Sequence, residues 1–99
     1  LYEASIVPLE LMETILKTMG CLEILGEKGS RLAVSDVGVG ILFAQAALEG
    51  ASLNVYINTK LMKNRERARE LNGKADDLIR EGNAFRERTY AGVLAQIRS

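Results

Sequence analysis

The stretch VGVGILFAQAALEGASLNVYI, residues 37–57, decides the fold: it is apolar almost all round and carries a small residue on nearly every turn. Gly40 with Ala44, Ala46 with Gly50, and Ala47 with Ala51 each stand four apart, so partner helices can approach closely along these lines. A helix without a polar face has to be buried among others. It is predicted to be the most buried element, from Val37 to about Val55, with Val39, Leu42, Ala46 and Ala47 covered in the assembly. A run of this length can also span a bilayer. Gln45, Glu49 and Asn54 oppose that, because an acidic side chain at mid-membrane costs about 2.5–3.5 kcal/mol on insertion scales, and no membrane association is expected.

Just upstream, Ser35 is a good N-cap, and Asp36 in the first turn favours the positive end of the helix dipole. Further upstream Leu9, Met12, Ile15, Leu16, Met19 and Leu22 recur at three- and four-residue steps, the pattern of an amphipathic helix from Leu1 to about Leu25. Pro8 either opens this helix or kinks it. Gly26 to Arg31 reads as the following loop. Downstream, Asn58 and Thr59 form a short polar break. Leu53, Val55 and Ile57 alternate with polar neighbours, which leaves a short extended exit open. Ala68, Leu71, Ala75, Leu78, Gly82 and Phe85 then make a heptad seam, with a break near Glu81-Gly82-Asn83 and a continuation through Tyr90, Leu94 and Ile97. The fold class is an all-α antiparallel helical bundle.

Composition bounds the chemistry. Ninety-nine residues, 47% of them apolar and 26% charged, make one domain over residues 1–99 and exclude disordered and disulfide-scaffold classes. The chain has no histidine, which removes imidazole bases, Ser-His and Cys-His nucleophiles and the commonest zinc sites. Acid–base chemistry falls to carboxylates or lysines. Cys21, alone and in an apolar stretch, reads as a small core residue in a reducing compartment. Residues 1–59 hold three basic and seven acidic groups, whereas residues 60–99 hold ten basic and six acidic. The basic run from Lys60 to Arg69 lacks interleaved aromatics, so it reads as a solvated face with no nucleic-acid partner.

Three local features can carry a site. At Ser35-Asp36 a carboxylate meets the free N–H groups of a helix start, which is either a ligand site or simply a cap. Asn54 and Asn58, four apart, share a helix face, and their amides suit the edge of a heterocycle as well as they suit a helix end. Glu49, on an apolar helix, needs a partner or water.

Taken in order, Ser35-Asp36-Val37-Gly38-Val39-Gly40, Ala46-Ala47, Gly50-Ala51 and Asn54-Val55-Tyr56-Ile57-Asn58, with Val7-Pro8-Leu9 upstream and Lys63 downstream, resemble the cyclodeaminase/cyclohydrolase family of folate enzymes. The resemblance implies a helical protein of about twice this length that forms a homodimer, with the present chain corresponding to its C-terminal half. The family's N-terminal half carries a proline and glycine-rich folate-binding stretch and the catalytic aspartate, and no Pro-Gly-Gly-Gly occurs here. Before Ser35 this chain has Gly29-Ser30-Arg31-Leu32 where relatives often have Gly-Asn. The first residue is Leu1, so the chain reads as trimmed or as a piece of something longer, incomplete without an N-terminal half.

The resemblance implies a folate one-carbon enzyme, a methenyltetrahydrofolate cyclohydrolase or a formimidoyltetrahydrofolate cyclodeaminase. Its substrate is a tetrahydrofolate derivative, with no resident cofactor or metal, in the cytoplasm. Within that frame Asp36, Ser35, Asn54 and Asn58 are expected to bind substrate, and this half alone is expected to be inactive. The competing reading is a non-catalytic helical association module built on the heptad seam and the small-residue helix.

Overall fold

The computed structural model describes residues 1–29 and 33–99, and three helices account for nearly all of them: α1, Tyr2–Lys28; α2, Val34–Lys60; and α3, Arg65–Arg98. Short connections reverse the chain twice, so α1 and α3 run parallel with α2 antiparallel to both. At one end the Arg67 guanidinium lies 4.2 Å over the Tyr2 ring, and at the other Gln96 Nε2 donates to the Gly26 carbonyl at 3.0 Å. The chain is an all-α bundle, as the periodicity predicts.

The buried seams match the apolar spacings. Leu9, Met12 and Met19 of α1, Ile41, Leu48, Ala51 and Val55 of α2, and Ala68, Leu71 and Ala75 of α3 form one core. Val34, Val37 and Val93 form a smaller one at the end where α2 begins. Glycines let the helices close up where the sequence places them. A Cβ at Gly38 would stand 3.0 Å from Val93 Cγ1, and one at Gly82 would run into Leu48 and Gln45.

Several boundaries differ from the sequence reading, each because packing outweighs a local signal. Of the two readings of Pro8, the helix starts before it: Pro8 lies inside α1. The carbonyl four residues back, which loses its donor, belongs to exposed Ala4, where water can replace the missing bond. Gly26 is helical and buried, a would-be Cβ lying 3.3 Å from Val37 Cγ1, so α1 continues to Lys28. Of the expected loop, Ser30 and Arg31 lie outside the described residues, as does Leu32 after it.

Ser35 is not the N-cap. Ala33 takes that position with no side-chain hydrogen bond, because burying Val34 against Val37 and Val93 starts the helix earlier. The stretch from Leu53 to Ile57 is helical rather than extended. No break occurs at Gly82, whose missing side chain makes room for α2. The buried line of α3 goes on through Thr89 and Val93, leaving Tyr90, Leu94 and Ile97 exposed. Cys21 is exposed too, on the outer face of α1.

The turn between α2 and α3 is held by two polar devices that periodicity does not reveal. Arg65 Nη1 donates to the carbonyls of Thr59 (2.9 Å), Met62 (3.0 Å) and Lys60 (3.3 Å), a cation placed on the negative end of α2. Asn64 Oδ1 accepts from the Arg67 N–H at 3.0 Å and caps α3.

The molecule is a rod of 53 × 16 × 16 Å with a radius of gyration of 15.6 Å, against about 13 Å for a compact domain of this length. Its accessible surface of 6397 Å² exceeds the roughly 5,600 Å² expected from its mass. Part of the excess is apolar. α2 holds more buried positions than either neighbour, yet α1 and α3 cover only two of its sides. Val39, Leu42, Ala46 and Ala47, expected to be covered, are exposed within one chain. Among the described residues, α2 is the helix long and apolar enough to cross a membrane by length and composition.

Candidate functional site

The start of α2 gathers the elements of a binding site. Ser35 and Asp36 occupy its first turn, where the leading N–H groups have no side-chain cap, and both are exposed. Asp36 makes no ion pair among the described residues. Ser35 closes one end of an apolar groove of about 220 Å³ between α2 and the last turns of α3, walled by Val39, Leu42, Tyr90, Leu94 and Ile97. Gly38 allows this groove, because without a side chain there α3 comes down onto α2 through Val93. An apolar slot lined by the Ser35 hydroxyl, with an exposed carboxylate on the next residue and uncapped N–H groups at the same helix start, suits a flat heterocycle with a polar edge.

Asn54 and Asn58 lie near the opposite end of α2. Asn54 is exposed, and Asn58, half-buried, spends its amide on the Asn54 carbonyl at 2.7 Å. Asp36 and Asn54 are eighteen residues apart on one helix, about 27 Å at 1.5 Å per residue. One chain therefore brings Ser35 to Asp36 and Asn54 to Asn58, but not the two pairs together. Glu49 finds a hydrogen bond rather than an ion pair: its carboxylate accepts from Gln45 Nε2 at 3.0 Å.

Other polar contacts escaped the sequence reading. Gln45, 3% exposed, also donates to Asn83 Oδ1 at 3.0 Å, in the segment read as a break. Thr59 Oγ1 donates to Asn72 Oδ1 at 2.6 Å. The Tyr56 hydroxyl donates to Asp76 at 2.5 Å, and burial, reinforced by that carboxylate, pushes its pKa up to about 12. Between α1 and α3, Arg88 Nε meets Glu23 at 2.8 Å, and this bond raises the guanidinium's pKa further. These pairs join residues distant in sequence, and no spacing along a single helix announces them.

Comparison with known proteins places these observations. Residues 1–77, which include all of α1 and α2, match the family described as formiminotransferase-cyclodeaminase. A methenyltetrahydrofolate cyclohydrolase of Methylorubrum extorquens is 36% identical over 94 residues, which is 95% of this chain and 45% of that protein. The chain thus spans less than half the length of the curated relative it matches. With the family match covering well over half of its residues, this chain belongs to the formiminotransferase-cyclodeaminase family.

Proposed function

We propose that the chain is part of a folate one-carbon enzyme, a methenyltetrahydrofolate cyclohydrolase or a formimidoyltetrahydrofolate cyclodeaminase, and that it supplies part of the folate pocket and the bundle core. The observation that carries the reading is the first turn of α2, inside the family-matched segment: Ser35 lines an apolar groove there and Asp36, the next residue, is exposed. The chemistry is C–N bond making and breaking at one carbon. Water adds to the 5,10-methenyl cation to give 10-formyltetrahydrofolate, or ammonia leaves 5-formimidoyltetrahydrofolate as the methenyl ring closes. The first wants a carboxylate base and the second an acid beside the departing nitrogen.

Asp36 takes a binding role. A pterin presents an amino group and a ring N–H side by side, and one carboxylate accepts from both. The principal catalytic acid is supplied from outside this chain, by an N-terminal half of the family type, and the chain alone is inactive. The setting is cytoplasmic, the assembly a homodimer, and the tetrahydrofolate derivative is substrate rather than resident cofactor.

Asp36→Asn keeps size and exchanges one acceptor for a donor. Calorimetric titration with folinate is expected to show weaker binding by about tenfold, the value of one charge-assisted hydrogen bond, at an almost unchanged melting temperature. Equal dissociation constants for the two proteins would remove Asp36 from the pocket. A second reading, a non-catalytic association module, draws on the uncovered apolar side of α2. It requires folinate to leave the melting temperature of the unsubstituted protein unchanged.

A further inference from the structure

Between the last turns of α1 and the second half of α3 lies a cavity of about 250 Å³ that has no part in the folate reading. Val93 lines both it and the groove beside Ser35. Its charges do not cancel. Glu23 and Glu27 line it from α1, one turn apart, and Arg88 is the one cation among its described lining residues. The guanidinium is engaged by Glu23, with Nε 2.8 Å from Oε2, whereas Glu27 is exposed and makes no ion pair among the described residues. Two carboxylates against one guanidinium leave the lining with one negative charge in excess.

Two residues of α3 point to an occupant. Thr89, 5% exposed, lines the cavity, and its buried Oγ1 has no hydrogen-bond partner among the described residues. A buried hydroxyl in that condition destabilises a folded chain unless something answers it. Gly92, one turn on, also lines the cavity, in the interior of a helix that glycine weakens relative to alanine. A Cβ there would meet nothing within 4 Å, so contacts within the chain do not call for a glycine, and clearance for an occupant does account for it.

We propose that this cavity binds a compact planar organic cation of the amidinium or guanidinium class. Acceptors stand on both walls. Glu27 lies on α1; Thr89 and Gln96 lie on α3, where Gln96 spends its Nε2 on the Gly26 carbonyl at 3.0 Å and keeps its Oε1 as an acceptor. A flat ion with N–H donors on two edges bonds to both walls at once, and its single charge balances the excess carboxylate. An anion would add to that excess, and a neutral amide would leave it uncompensated.

The test is titration of the protein with benzamidinium, followed by calorimetry and by amide chemical shifts, with benzamide and benzoate as neutral and anionic counterparts of similar shape. Benzamidinium is expected to bind one to one and to shift the signals of Gly26, Thr89 and Gly92, and the counterparts to shift none. Glu27→Gln is expected to weaken binding about tenfold, the value of one hydrogen bond to a charged group. Thr89→Val removes the hydroxyl at nearly constant shape. Its affinity is expected to fall about fivefold, with a melting temperature no lower than the parent's. Gly92→Leu puts a side chain into the cavity, and is expected to abolish binding at an undiminished melting temperature.

Absence of benzamidinium binding, equal binding of benzamide, or parental affinity in the Gly92→Leu protein overturns the proposal. A lowered melting temperature with unchanged affinity in Thr89→Val would make that hydroxyl a structural group answered by water alone, and overturns its place in the site. Displacement of benzamidinium by folinate overturns the separateness of the cavity, which would then belong to the groove beside Ser35.

Discussion

Gly82 and Gly50 are both helical glycines, one on α3 facing α2 and one on α2 itself, yet they occupy opposite environments. At Gly82 an added methyl collides with Leu48 and Gln45, whereas at Gly50 it meets open space. Periodicity finds helix faces, but whether a face is covered depends on chain that is folded elsewhere. The inner side of α2 is packed against its neighbours, with Gln45 Nε2 shared between Glu49 and Asn83 and Gln45 Oε1 left without a partner among the described residues. Its outer side has the spacing of an interface without an occupant in the single chain.

The contrast breaks most sharply under alanine. Gly82→Ala is expected to destabilise the chain by about 1–3 kcal/mol through overpacking against Leu48. Gly50→Ala is expected to stabilise a single chain by up to about 1 kcal/mol, since alanine is the better helix former. Urea denaturation at low protein concentration, where association does not contribute, measures both. A Gly82→Ala protein as stable as the parent would mean that the α2–α3 contact is looser than described.

Removing Arg65 has the next largest effect. Its guanidinium gathers the carbonyls of Thr59 and Lys60 at the end of α2 and of Met62 in the turn, and Arg65→Ala is expected to cost about 1 kcal/mol, with faster amide exchange confined to the last turn of α2 and the turn itself. Uniform acceleration along α2 would show that the residue does not act as a local cap.

Tyr56 sharpens the comparison through pH. Its pKa, raised to about 12 by burial and then by Asp76, exceeds the ordinary value of 10. The neutral phenol is thus favoured in the folded chain. The stability it contributes is fully present below pH 10 and lost as pH rises towards 12. In ultraviolet titration a tyrosinate step near pH 12 is expected, and Tyr56→Phe removes it.

The smallest effect belongs to Glu49. Its carboxylate accepts from Gln45 Nε2 at 3.0 Å, and Glu49→Gln, which retains an acceptor, is expected to change the stability of the chain by less than about 0.5 kcal/mol. Urea denaturation is the measurement. A loss well above that value would show that the charge itself holds the contact.

Which parts of this molecule a sequence can disclose follows from where the determining contacts lie. The seams of α1 and α3 were legible because Leu9, Met12, Met19, Ala68, Leu71 and Ala75 each answer to a helical period of their own. Helix ends were less so. Ser35 has the chemistry of a cap, but a valine one residue earlier gains more by burial; Gly82 has the chemistry of a break, but an approaching helix needs the space.

The candidate site divides in the same way. Ser35 and Asp36 are recognisable from order and family likeness, and the groove beside them depends on Tyr90, Leu94 and Ile97, about sixty residues further on. Gln45–Asn83 and Tyr56–Asp76 could be found only from the three-dimensional pairing of α2 with α3.

The rod shape also governs how the molecule tumbles. With all three helices along the 53 Å axis, backbone N–H vectors lie nearly parallel to that long axis, so only the slow end-over-end rotation reorients them. Amides in every helix therefore share one long rotational correlation time, and those in the turns report faster spinning about the axis. A partner packed side by side along this axis adds girth without adding length. Association consequently slows the spinning component far more than the end-over-end component, and nitrogen relaxation in the turns becomes its most sensitive reporter.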